Sequence, residues 1–258
     1  MMRLNEFCGL DIKLDTEKTR LTFGQGLNYS EPGVRSLDQM KEVLLDKNIS
    51  EPKELYYMYR DVYRIADKAL LEKNKLRYDV TLIKPDALGR EFMKTAGHYH
   101  PQSFGELYEV VYGHCYCLLQ KPAKEEYRNI EEVVICEAKA GQKIVIPPGF
   151  GHILINPGPD LLITSNWVSS VFSSEYQLYK EAQGAAYFMV KSSTKEPGLI
   201  PNTYFKQLAK IKSVKPNPRI EKFGLLENEP IYPIINENAE KLSFLNHPLD
   251  FDYSEVFI

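Results

Sequence analysis

The sequence predicts an all-β protein, a jelly-roll barrel with a few short flanking helices and a C-terminal extension. Three observations lead there. Short runs in which apolar and polar residues alternate recur between Asp11 and Val190, and that is the period of strands with one face buried. Turn signals separate the runs, as at Pro85-Asp86-Ala87-Leu88-Gly89 and Asn156-Pro157-Gly158-Pro159-Asp160, where proline and glycine set the required backbone angles. The chain also has 17 tyrosines and 12 phenylalanines beside one tryptophan, a composition that favours strands and a barrel lining. Many short strands punctuated this way read as a barrel.

The elements follow in order. Asp11 to Asp15 alternates and Gly24-Gln25-Gly26 breaks it. Ser36 with Gln39 three residues on reads as a helix cap, and Met40, Val43 and Leu44 form an apolar stripe that Asn48 ends. Leu55 to Ala66 reads as one strand with Arg60, Val62 and Arg64 on a solvated face. Ala66 to Lys75 reads as a short helix or loop. Leu76 to Lys84 alternates, with Leu76, Tyr78, Val80 and Leu82 opposing Arg77, Asp79, Thr81 and Ile83. Glu106 to Tyr112 has strand character and stops at Gly113, with Glu106, Tyr108, Val110 and Tyr112 on one face. Ile144 to Ile146 and Leu161 to Val168 are apolar strands, Glu175 to Gln183 has helical spacing, and Tyr187 to Val190 is another strand. Past Thr194 prolines stand at 197, 201, 216, 218, 230, 233 and 248. This divides the chain into a barrel over 1–195 and an extension over 196–258. The extension is expected to wrap the barrel or form a subunit contact, with too little regular pattern for a second core. Lys206 to Lys215 reads as the solvated face of a helix.

Bulk properties exclude several classes. A chain of 258 residues with 43% hydrophobic content buries one sizeable core. The net charge of -3 shows no basic excess for nucleic acid, and no run approaches membrane-spanning length. The N-terminal Met1-Met2-Arg3-Leu4-Asn5-Glu6 lacks a secretory apolar region, so a cytoplasmic, reducing setting is expected. Cys8, Cys115, Cys117 and Cys136 are then expected to be free, buried thiols.

The chemistry concentrates between Gly97 and Asn156. The chain has five histidines, and three of them, His98, His100 and His152, fall here with Glu106. On a strand His98 and His100 project together while Tyr99 faces away. Pro147-Pro148-Gly149-Phe150-Gly151 forms a rigid turn that aims His152 inward. Three imidazoles and one carboxylate suit Fe, Ni, Mn or Zn better than Ca or Mg. On a six-coordinate metal they leave two positions for water or substrate.

The spacing Gly141, Pro147, Gly149, His152, Asn156, after His98-X-His100, Glu106 and Gly113, resembles the two cupin motifs, with a longer spacer before the glutamate. Lys94-Thr95-Ala96-Gly97-His98-Tyr99-His100 and Gly105-Glu106-Leu107-Tyr108-Glu109-Val110-Val111 resemble the metal-binding segment of the archaeal-type (cupin) glucose-6-phosphate isomerases, which share that spacer. Val34 to Met40, Tyr78 to Leu82, and the Glu175-Tyr176 and Gly184 regions fall in register. The likeness covers roughly residues 5 to 195.

The resemblance implies one divalent metal per subunit, iron first, on His98, His100, Glu106 and His152. It places Thr81, Thr95 and Gly97 near a sugar phosphate, with Tyr108 lining the cavity and Tyr176 closing it. Trp167 or Val168 stands where the family has a further tyrosine. Phosphate would be met by threonine hydroxyls and backbone N–H groups around Thr95 to Gly97, since no arginine or lysine cluster is evident. The implied reaction interconverts glucose 6-phosphate and fructose 6-phosphate through an enediol, in glycolysis and gluconeogenesis, by a homodimer. Glu106 is the candidate base. The competing readings are a mannose-6-phosphate isomerase, a sugar-phosphate epimerase, a cupin oxygenase and a non-catalytic sugar-binding cupin.

Overall fold

The computed structural model describes residues 1–101, 104–194 and 196–258. Two residues of the spacer between His100 and Glu106, and the last residue before the expected extension, lie outside the described residues. Strands are labelled β1 (Gly33–Ser36), β2 (Glu54–Tyr59), β3 (Leu76–Ile83), β4 (Glu91–Lys94), β5 (Glu106–Tyr112), β6 (His114–Pro122), β7 (Asn129–Lys139), β8 (Lys143–Ile146), β9 (Gly151–Asn156), β10 (Leu162–Ser169), β11 (Tyr187–Val190), β12 (Gly198–Pro201) and β13 (Ile211–Val214).

Two sheets face each other in a jelly-roll arrangement. One runs β8-β5-β10-β3-β2-β1, and the other runs β12-β11-β4-β9-β6-β7 with β13 on its edge. Every pairing is antiparallel except β7 with β13 and with Gln207–Leu208, which are parallel. Between the sheets lies a core that includes Met93, Val110, Cys117, Ile144, Ile153 and Tyr179.

The outer face of the first sheet is also apolar. Tyr78, Val80, Leu82, Leu107, Val111 and Trp167 lie there, fully or almost fully buried. They pack against N-terminal residues such as Leu10 and Ile12 and against Phe223, Ile231, Tyr232 and Phe244 of the tail. The tail thus lies against the barrel and shares its outer core with it. An apolar sheet face must be covered, and irregular chain covers it as well as helix does. Its polar fastenings are specific. Trp167 Nε1 donates to the Ile231 carbonyl at 3.0 Å, and Tyr232 Oη donates to Asp67 at 2.8 Å. The Ile231 N–H donates to Glu109 Oε2 at 3.3 Å. Glu109 also pairs with Lys143 at 3.2 Å, and both side chains are almost wholly buried.

Four local readings change. Ser36 and Gln39 do form a reciprocal cap, but the helix is the single turn Leu37–Met40, followed by 3-10 turn to Val43. The chain is drawn off by a buried pair on β4: Lys94 Nζ donates to the Val43 carbonyl at 3.0 Å, and the Leu45 N–H donates to Glu91 at 2.7 Å. The run from Leu55 to Ala66 breaks after Tyr59, because Asp61 adopts φ 57° and gives its N–H to Asp79. Arg60 and Arg64 therefore share no face. A bulge between Val110 and Tyr112 shifts the register, so Tyr112 leaves the cavity face and packs on the outer core. Lys206 to Lys215 holds two short strands, Gln207–Leu208 and Ile211–Val214, instead of a helix. Its backbone caps the open edge of β7, and edge pairing outweighs the lysine spacing that looked helical.

Candidate metal centre

His98, His100, Glu106 and His152 each bring one donor atom into a group whose members all lie within 4.8 Å of one another. His152 comes from β9 and Glu106 opens β5. His98 and His100 lie just beyond β4, where a single backbone bridge joins His98 to His152. Tyr99 faces away, its ring against Tyr179 and its Oη accepting from Gln120 at 2.7 Å. The first two histidines thus project together as the alternation predicts, but two isolated bridges, His98 with His152 and Tyr99 with Glu175, hold them instead of a full ladder. Gly97 permits the entry. It has φ +80°, and a Cβ there would stand 2.5 Å from Ile153 Cγ2 and 2.6 Å from the Tyr179 ring.

The donor atoms converge. Glu106 Oε2 lies 3.1 Å from His152 Nε2, 3.3 Å from His100 Nε2 and 3.7 Å from His98 Nε2. The Nε2 atoms of His98 and His100 are 3.1 Å apart. The other oxygen, Oε1, accepts from Asn166 Nδ2 at 2.7 Å. His100 Nδ1 lies 3.1 Å from the Phe104 carbonyl, which fixes the tautomer with Nε2 free. Glu106 Oε2 is buried and has no hydrogen-bond partner. A buried carboxylate oxygen without a partner is costly, and three imidazole nitrogens crowded on it make a donor set of the kind that could hold a divalent metal. The residues fit such an ion. Cys115 and Cys117 stand outside the group, and all four cysteines are free and buried.

The electrostatics agree. Burial pulls His98 down to about 3, with the field of His152 adding to it, and burial also lowers His152. Burial pushes Glu106 up, but the three imidazoles around it outweigh burial and hold the carboxyl well below its usual range. The sign of the pH dependence follows. Below pH 6.5 the unfolded chain protonates these histidines while the folded chain holds His98 neutral down to about 3. The unfolded state then binds more protons, and stability falls on acidification. Thermal melts of chelator-treated protein are expected to show Tm dropping from pH 7 to pH 5, and an unchanged Tm would contradict the neutral buried imidazoles.

A cavity of about 290 Å³ opens onto the cluster. Thr81, Thr95, Gly97, Tyr108 and Tyr176, the sequence candidates, all line it. The Thr95 hydroxyl accepts the Leu154 N–H at 3.0 Å, and Tyr108 Oη lies 3.3 Å from His152 Nε2. Val168 lines the cavity, whereas Trp167 points to the outer core, between Tyr78 and Tyr232. The expected absence of arginine is corrected. Arg60 and Arg77 line the cavity with Asp79. Arg35 stands beside it, its guanidinium 5.5 Å from the Tyr176 ring and 5.8 Å from that of Tyr56, its buried Nε without a partner. These arginines lie far apart in sequence, and only strand pairing gathers them. Asn166 was also missed. Its position two residues before Val168, on the face that alternation assigns to the cavity, was the available signal.

The glucose-6-phosphate isomerase (GPI) family pattern matches residues 34–203. A glucose-6-phosphate isomerase of Thermococcus litoralis is 30% identical over 146 residues, which cover 54% of this chain and 70% of that protein. One of Pyrococcus abyssi (strain GE5 / Orsay) is 31% identical over 134 residues, covering 50% of this chain and 66% of that protein. A solved structure of oxalate oxidase overlaps 39% of this chain and 42% of its own, at 18% identity and a TM-score of 0.30.

Proposed function

Because the chain belongs to the glucose-6-phosphate isomerase family, we propose that it interconverts glucose 6-phosphate and fructose 6-phosphate with one divalent metal per subunit, iron first. The observation that carries this is Glu106 Oε2, unpartnered and ringed by three imidazole nitrogens at the end of a cavity.

When bound, the metal supplies positive charge that acidifies the C–H beside the carbonyl and offsets the charge of the enediolate. The remaining work falls to side chains. Two carboxylates line the cavity, Asp79 and Glu106. Asp79 is held by Arg77, Arg60 and the Asp61 N–H, whereas Glu106 stands inside the imidazole cluster with Oε2 free of hydrogen bonds, so Glu106 is the candidate to move the proton. In the aldose-to-ketose direction it takes the proton from C2 and returns it to C1 while the hydroxyl proton passes from O2 to O1, and the reverse direction retraces both transfers, so atoms and charge balance within the substrate. Asn166 keeps the carboxylate oriented through Oε1. Thr81, Thr95 and Gly97 hold the phosphate, with the Arg35 guanidinium beside the Tyr56 hydroxyl that accepts the Ala96 N–H at 3.2 Å. Tyr108 walls the sugar, and Tyr176 closes the cavity.

We infer a cytoplasmic homodimer from the same family likeness. Among the described residues no helix is long and apolar enough to cross a membrane.

The test is a coupled assay of glucose 6-phosphate formed from fructose 6-phosphate. It is run on protein as isolated, after EDTA, and after adding back Fe, Ni, Mn or Zn singly. Activity lost with EDTA and restored by one of the metals is expected. Protein shown to hold metal and yet inactive with each of them would end the isomerase reading.

A further inference from the structure

Arg77 has no task in the reaction as drawn so far, yet it stands level with the metal ligands. Leu107 pairs with Trp167, and Val168 pairs with Arg77. Glu106, Val168 and Arg77 therefore follow one another across β5, β10 and β3 at one height of the sheet. Two strand spacings separate the first from the last, about 10 Å between α-carbons. That span accommodates a sugar carbon chain between the two side chains. Arg77 lines the same cavity as His98 and Glu106.

Its orientation is locked. Nε donates to Asp79 Oδ1 and Nη2 to Asp79 Oδ2, each at 2.9 Å, a two-point contact that fixes the plane of the guanidinium. Asp79 does not cancel the charge, because Arg60 Nη1 shares Oδ2 at 3.3 Å. Two arginines on one carboxylate leave one net positive charge. Asp79 is 6% exposed and Arg77 29% exposed, so the surplus sits at the cavity wall. Burial acts to lower the Arg77 guanidinium, but Asp79, with Glu106 adding to it, holds it above its ordinary value.

We propose that Arg77, oriented by Asp79 and backed by Arg60, stabilises the enediolate oxygens as a second positive charge beside the metal. The inference rests on the isomerase reading and deepens it. Charge appears on those oxygens only as the proton leaves carbon, so the contact strengthens toward the transition state and acts on kcat more than on KM. Asp79 and Arg60 are positioning residues in this scheme. A fixed arginine suits the task because it neither deprotonates nor competes with Glu106 for the proton.

Metal-loaded Arg77→Met and Arg77→Lys are compared with the unsubstituted protein in the isomerase assay. Two inhibitors are measured on each: a five-carbon aldonate phosphate, whose carboxylate mimics the enediolate, and the uncharged alditol phosphate of the same length. Arg77→Met is expected to lower kcat about 100-fold, the usual loss for one oxyanion donor, with KM little changed. It should weaken the aldonate phosphate about as strongly and the alditol phosphate hardly at all, and Arg77→Lys should recover part of both losses. Equal weakening of the two inhibitors, or a change in KM alone, would overturn the proposal and mark Arg77 as a general sugar-phosphate contact. Unsubstituted protein without turnover removes the isomerase reading and this proposal together. Active unsubstituted protein with an equally fast Arg77→Met removes this proposal alone. Far-ultraviolet circular dichroism and metal content, measured on each variant, confirm that comparison is made between folded, loaded proteins.

Discussion

Glu106→Gln is expected to lower kcat by about 1,000-fold, within the range for loss of a general base, while the fold survives. The carboxamide keeps the shape and can still accept from Asn166 Nδ2, which now holds Oε1 at 2.7 Å. It cannot take up a proton, and it offers the three imidazoles either a neutral oxygen or an amide N–H. Metal affinity falls as well, so turnover is read at saturating metal and beside the measured metal content. Three imidazoles still converge, and bound metal with lost turnover is the expected pattern. Near-normal turnover with metal bound would remove Glu106 as the base. The carboxylate would then be a ligand only, and the proton carrier would have to be a water or a substrate hydroxyl.

Lys143→Met is expected to destabilise the protein by about 3 kcal/mol at pH 8, because the buried Glu109 must then either hold a proton against the bulk pH or carry its charge without a cation. Even with Lys143 at 3.2 Å, burial pushes the Glu109 carboxyl up to about 7. The same burial lowers the Lys143 ammonium. Without Lys143 the carboxyl rises further. Its folded pKa then lies above its unfolded value, so the unfolded state releases the proton first and stability falls as pH rises beyond the ordinary glutamate range. The deficit should narrow toward pH 5 and widen toward pH 8. Denaturant unfolding of both proteins across that span measures it, and a deficit independent of pH would place the loss in packing instead. Glu109 also receives the Ile231 N–H, so the tail is expected to loosen first, with hydrogen exchange at Ile231 and Tyr232 rising before that of β5.

Much of the candidate metal centre was legible from local rules. His-X-His on extended chain aims two imidazoles one way, a strand that begins with Glu106 carries its carboxylate to the same face, and a proline-glycine turn delivers His152. Each of these needs only neighbouring residues. The strands whose alternation is clean, such as Leu76–Ile83 and Glu106 to Val110, were legible for the same reason: a sheet with two different faces writes a period of two into the chain. The misreadings arose where a distant partner decided the outcome. Lys206 to Lys215 has helical lysine spacing, yet an open sheet edge claims its backbone. The helix after Ser36 stops early because Lys94 and Glu91, some fifty residues on, capture the chain at Val43 and Leu45. Tyr112 changes face because of one bulge.

By itself the sequence determined the strand-rich class, the cluster of His98, His100, Glu106 and His152, and the family likeness, since these are set by spacing along the chain. Tertiary structure alone decided what surrounds the ligands. Asn166 reaches Glu106 across the β5–β10 pairing, and Arg60 meets Arg77 only because both fold onto Asp79. The tail finds the apolar back of the sheet through Trp167 and Glu109. Electrostatic and packing energies depend on distance in space, and register between strands, which no single stretch of sequence records, sets that distance.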